Sequence, residues 1–193
     1  MHKGRLEAFS DGVIAIIITI MVLELKVPAH NNIRDLIPLI PTFISYALSF
    51  VYVGIYWNNH HHTFQAATSV NGAVLWANLH LLFWLSLVPF VTNWMGDSHF
   101  TQWPIITYGF VLIMNAIAYG ILMITLIRLH GDDSVLAKAV GSDLKGNISI
   151  GIYATAIIIA FFCPRVSFGL YILVACIWFI PDKRIESRLV KEN

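Results

Sequence analysis

The chain has 193 residues, of which 58% are hydrophobic and only 12% charged, with a net charge of +1 and a mean hydropathy of +0.72. A soluble domain is about half apolar and a quarter charged, so one small water-soluble core cannot hide this much apolar surface, whereas lipid can face it directly. The balanced charge excludes the basic field of a nucleic-acid partner.

The chain starts basic, with Lys3 and Arg5. Glu7 and Asp11 then interrupt what would be the apolar part of a leader, and no small-x-small cleavage site follows, so the first segment is expected to stay in the mature protein. Stretches of about 20 apolar residues then mark membrane helices. The spans are predicted at about 6–25, 36–58, 71–95, 104–127, 146–164 and 166–181, giving an all-α bundle of six transmembrane helices as one domain over 1–193. Pro38 and Pro41 fall in the first turns of the second span and Pro104 opens the fourth, where a missing N–H does least harm. Val166 to Pro181 is only 16 residues, roughly 24 Å of helix, so the last two segments form either two spans or a re-entrant hairpin.

Orientation follows from Lys and Arg. With the N-terminus inside, nine lie on inner segments (Lys3, Arg5, Arg128, Lys138, Lys145, Lys183, Arg184, Arg188, Lys191) and three outside (Lys26, Arg34, Arg165), which places both termini in the cytoplasm. Trp94, Trp103 and Trp178 fall near span ends, as interfacial aromatics do. The largest polar loop is Arg128 to Lys145.

The first span holds the most chemistry. Asp11 and Glu24 have only 12 residues between them, so at least one carboxylate lies at or inside the membrane boundary. It either finds a protein partner or water there, or anchors the helix at the interface. At about 100° per residue, Gly12, Ile16, Ile20 and Leu23 fall on one stripe with Thr19 at its edge, and Asp11 lies off it. Periodicity does not distinguish a pore-lining stripe from a lipid-facing one.

The string Arg5-x-x-x-Phe9-Ser10-Asp11-Gly-x-x-Ala-Ile16-x-x-Thr19 resembles the first-helix signature of the transmembrane protein 175 family, the animal endolysosomal potassium channels and their prokaryotic relatives. Trp57 and the His60-His61 pair extend the likeness, as do Leu75-Trp76-x-Asn78-Leu79 and Ser86-Leu87-x-Pro89-Phe90. A single set of six spans resembles the prokaryotic form, which implies a homotetramer in the cell (plasma) membrane. The resemblance implies a potassium-preferring cation channel in which four copies of the first helix surround the axis. It also implies a constriction at Ile16, ion discrimination at Thr19, and narrowing at Ile20 and Leu23. No T-V-G-Y-G filter string occurs. A ring of Ile16 side chains would close by dewetting, Thr19 hydroxyls would add ligands, and Glu24 would concentrate cations at the outer mouth. Arg5, Phe9, Ser10 and Asp11 are expected to position the pore helix through a network with Trp76, Asn78 and His80.

Other constellations are weaker. Three consecutive histidines, His60 to His62, point three ways on a helix and share no metal ion, so no metal and no cofactor is expected, and K+ is the permeant partner. Cys163 and Cys176 lie in apolar runs without C-x-x-C spacing and read as small apolar residues. Asp132-Asp133 reads as solvated loop. Asn147-Ile-Ser matches a glycosylation acceptor, but on the predicted cytoplasmic side. No nucleophile elbow, P-loop or zincin string marks an enzyme. The alternatives are a proton-coupled secondary transporter using Asp11 and His80, although no inverted repeat is visible, and a membrane enzyme with a histidine-bound metal.

Overall fold

Backbone N–H and C=O groups inside a bilayer have no water to bond, so a chain this apolar must satisfy them within helices or a closed barrel. The computed structural model describes residues 3–28, 32–140 and 144–179, and every regular element among them is helical. In chain order these are α1 (Gly4–Leu23), a 3-10 segment (Ile33–Leu39), α2 (Ile40–Ala66), α3 (Gly72–Ser86), α4 (Val88–Asp97), α5 (Gln102–His130), α6 (Val135–Val140), α7 (Leu144–Ala160) and α8 (Pro164–Phe179). Among the described residues, four stretches are long and apolar enough to cross a membrane: α1, the 3-10 segment with α2, α3 with α4, and α5. Helices α7 and α8 are apolar but have 17 and 16 residues, roughly 26 and 24 Å against a hydrocarbon core of about 30 Å.

Several boundaries differ from those predicted. Helix α2 runs to Ala66 rather than ending at Asn58, so His60–His62 lie within it. It continues because His60, Thr63 and Phe64 are buried against neighbouring helices, a reason that hydropathy does not register. The third span is two helices that meet at Leu87. Pro89 has no N–H to donate to the carbonyl of Leu85, which breaks the ladder there, and the Leu87 N–H falls back to Trp84 O at 3.2 Å. Pro38 lies in the 3-10 segment, with Pro41 at the start of α2. The polar loop predicted from Arg128 holds the last turn of α5, ended by Gly131 at φ 86°, and the short α6. Lys183, Arg184, Arg188, Lys191 and the end of the sixth segment lie outside the described residues.

Helix α5 is central, packing on α3, α4, α7 and α8, while α2 packs on α1, α4 and α8. Along α2 the residues Thr42, Ser45, Ser49, Tyr52, Tyr56, Asn59 and Thr63 recur every three or four positions, a polar seam turned into the subunit. Ser49 Oγ and Tyr108 OH bond at 2.9 Å, Thr92 donates to Ser49 at 2.7 Å, and Tyr52 OH donates to Tyr171 O at 2.6 Å. Thr63 Oγ1 and Tyr119 OH meet at 2.8 Å. Lipid offers no competing partner for such bonds. Close approach also depends on glycine: a Cβ on Gly96 would stand 2.5 Å from Thr42 Cα, so α2 and α4 touch backbone to backbone there. The outside of the bundle is apolar, with Ile158, Phe162 and Phe179 63%, 86% and 72% exposed. Cys163 and Cys176 are free thiols on that surface.

Candidate pore helix

Helix α1 begins with Glu7 in its first turn, where a carboxylate meets the positive end of the helix dipole. The run Val13–Leu23 is rich in β-branched residues, which are indifferent helix formers in water, but lipid leaves the backbone no other way to satisfy itself. One face of α1 is packed. Leu6, Ser10, Ile14, Ile17 and Met21 are buried, spaced by three or four residues, against α2, α3 and α4.

The opposite face carries the predicted stripe. Ile16, Ile20 and Leu23 are 59%, 42% and 76% exposed in the subunit, and Thr19 and Gly12 are exposed beside them. At 1.5 Å per residue, Ile16 to Leu23 covers about 10 Å along the helix. The Thr19 hydroxyl donates to Ala15 O at 2.9 Å, so its oxygen keeps its lone pairs as acceptors. A cation accepts no hydrogen bond but takes an oxygen ligand, so Thr19 is available in that role.

The residues expected to position α1 divide into separate contacts. The buried Ser10 donates to Leu6 O at 2.9 Å and accepts from Asn78 Nδ2 at 2.9 Å. Asn78 in turn accepts from His60 Nε2 at 2.8 Å. All three side chains are buried, so one polar chain ties α1, α3 and α2 together. Asp11 stands apart from it, exposed, accepting from Trp57 Nε1 at 3.0 Å. The Trp57 ring stacks on His61 at 5.9 Å. His80 is not brought to α1: it accepts from Trp84 Nε1 at 2.9 Å, one turn along its own helix. Trp76 is 75% exposed and Phe9 54% exposed, and neither joins the network. Arg5 is exposed, with no hydrogen bond or ion pair among the described residues.

His60 and Trp57 complete contacts for which the sequence reading had named no α2 residue. Both sit on the same stretch of α2, three residues apart, and that spacing was the available signal. The ends of α1 are also held by side chains outside the predicted network. At its start Lys3 Nζ donates to the carbonyls of Phe64 and Gln65 at the end of α2. At its far end Asn93 Nδ2 donates to Glu24 Oε2 at 3.2 Å, and Lys26 pairs with Asp97 at 2.5 Å. That bond and the Asp97 charge raise the Lys26 pKa above its ordinary 10.5. Among the described residues no group of three His, Cys, Asp or Glu is placed to hold a metal.

The family described as endosomal/lysosomal potassium channel TMEM175 matches residues 5–89. A protein of Chryseobacterium sp. (strain P1-3) that is named a potassium channel is 61% identical over 193 residues, 100% of both chains. A potassium channel of Chamaesiphon minutus is 40% identical over 102 residues, 50% of each chain. The fold resembles the crystal structure of a lysosomal potassium-selective channel TMEM175 homolog from that organism with a TM-score of 0.82 at 27% identity, covering 93% of this chain and 97% of that one.

Proposed function

Because the chain belongs to the endosomal/lysosomal potassium channel TMEM175 family, we propose that it is a potassium-preferring cation channel of a prokaryotic plasma membrane. Four copies assemble with α1 of each around a central axis. No residue is assigned a catalytic role and no cofactor a part.

One observation supports this reading above the others. The apolar stripe of Ile16, Ile20 and Leu23, with Thr19 at its edge, is the face of α1 that its own subunit leaves uncovered. Facing an axis, it forms stacked hydrocarbon rings, and a narrow hydrocarbon ring stays dry until it widens. Rotating or splaying α1 together with the helices it packs on widens it while the subunit core stays intact. Hydrocarbon offers no carbonyl cage to replace a hydration shell, so the preference for K+ rests on its lower dehydration cost. Thr19 oxygens add partial ligation, and Glu24 draws cations to the mouth on its side. Ser10, Asn78 and His60 hold α1 in place without touching the ion. The proton-coupled alternative finds less support, since Asp11 and His80 bond to different tryptophans and not to each other.

The test is potassium flux into liposomes containing the full chain, with Ile16→Asn beside the wild type. Flux should follow the electrochemical gradient without saturating. Asparagine should wet the constriction, raising flux severalfold and weakening the preference for K+ over Na+. A folded, inserted protein that conducts under no gradient overturns the proposal.

A further inference from the structure

The connection between α2 and α3, residues 67–71, sits between two points at which α1 is held. On one side Lys3 grips the carbonyls of Phe64 and Gln65 at the end of α2. On the other, Asn78 of α3 holds Ser10. The connection itself is clasped from a third direction by His130, the last residue of α5. His130 Nε2 faces the backbone N–H of Thr68 at 3.1 Å and of Ser69 at 3.3 Å, while Nδ1 faces Leu126 O at 2.9 Å.

These partners fix the tautomer. Leu126 O only accepts, so Nδ1 carries the hydrogen. The two backbone N–H groups only donate, so Nε2 must offer its lone pair. The neutral Nδ1–H imidazole is the one form that satisfies all three. Protonation puts an N–H at Nε2, against two other N–H groups. Both bonds to the connection are then lost, and three donors confront each other.

From this geometry we infer that His130 is a pH-read positioning residue for α1: neutral, it clasps the α2–α3 connection that joins the two points holding α1, and protonated, it releases it. The inference rests on the channel reading for its effect on conductance. The pH in question is that on the side of the α1 N-terminus, which the charge count assigns to the cytoplasm. The charged groups and histidines on the surrounding elements are Arg128 on α5, Asp132 and Asp133 beyond it, Lys138 on α6, Lys3 before α1 with Arg5, Glu7 and Asp11 on it, His60, His61 and His62 on α2, and His80 on α3. Among the described residues none forms an ion pair with the His130 ring.

The experiment uses the full chain in lipid, as wild type and as His130→Gln, whose amide does not titrate. Hydrogen-exchange protection of the 67–71 connection is measured at about pH 7.5 and about pH 5.5, either side of the free imidazole's titration. Protection is corrected for the intrinsic pH dependence of exchange. In the wild type it should fall severalfold on acidification, and by no more than about tenfold, the limit that proton uptake by one imidazole sets over this pH change. In His130→Gln it should be the same at both pH values, whatever its level. Potassium flux, measured in parallel with the pH set on that side alone, should change its acid profile in the variant. Wild-type protection that ignores pH overturns the inference, as does a variant that falls equally. Identical flux profiles overturn its link to the pore. Absence of flux in both proteins overturns the channel reading instead, and the clasp is then judged on exchange alone.

Discussion

Replacing Asn78 with leucine tests whether the buried polar chain seats α1. Leucine nearly fills the same space, so the cavity contribution is small and polar bonds decide the outcome. Two are lost, one to Ser10 Oγ at 2.9 Å and one from His60 Nε2 at 2.8 Å. Ser10 keeps its own donation to Leu6 O, so losing an accepted bond there costs roughly 0.5 kcal/mol. His60 fares worse: it is 2% exposed, and its Nε2–H is left without an acceptor at about 1–2 kcal/mol. The sum is about 1.5–2.5 kcal/mol, at the upper end for interhelical bonds in lipid because two bonds meet on one side chain. Detergent-driven unfolding in mixed micelles measures it, and His60→Phe on the Asn78→Leu background should restore about 1 kcal/mol by removing the orphaned donor. Asn78→Leu within about 0.5 kcal/mol of wild type would refute the reasoning, and so would strictly additive single substitutions.

Gly109→Ala should destabilise, because the new Cβ would stand 2.1 Å from the Tyr171 hydroxyl, which must then leave its bond to Ile105 O at 3.1 Å. The overpacking and the lost bond exceed the roughly 1 kcal/mol of helix propensity gained, for a net loss of about 1–2 kcal/mol in a melt, and Tyr171→Phe should recover part of it. At the far end of α1 the Lys26 pKa is raised by the Asp97 hydrogen bond and charge. A raised value means that the Lys26–Asp97 contact is fully present below the ordinary lysine range and is lost as pH rises through the raised value. An NMR titration of the Lys26 ammonium should show the elevation, and Asp97→Asn should return the value toward 10.5; equal midpoints in the two proteins would sink the assignment.

Hydropathy made the helical class and the four long apolar stretches legible, because a bilayer imposes length and composition directly. It did not reveal where α2 ends: His60 and Thr63 are polar by type and buried by packing, and a hydropathy window sees only the type. Pro89 was visible in the sequence, yet whether a proline kinks a membrane helix or ends it depends on what satisfies the freed carbonyl. On α1 the exposed stripe of Ile16, Thr19, Ile20 and Leu23 was legible, since period alone groups a face. The partners of the polar residues were not. Asp11 meets Trp57 and Asn78 meets His60 across helices whose rotation about their own axes is set by side-chain volumes elsewhere. His80 is the instructive miss, because Trp84 lies four residues on and competes for it within one helix.

The seam along α2 bears on how the chain is made. Helix α2 leaves the insertion machinery carrying Ser49, Tyr52 and Thr63, whose partners are Tyr108, Tyr171 O and Tyr119. Those partners are 59, 119 and 56 residues downstream and have not yet been synthesised. Until α5 arrives, these hydroxyls must be held by water, by the machinery or by bonds within their own helix. Tyr52 is satisfied only when α8 enters, bringing Tyr171. Substitutions in α8 should therefore show their damage early in the chain, as failed retention of α2 in the membrane and fewer surviving molecules, before any change in the permeation of those that assemble.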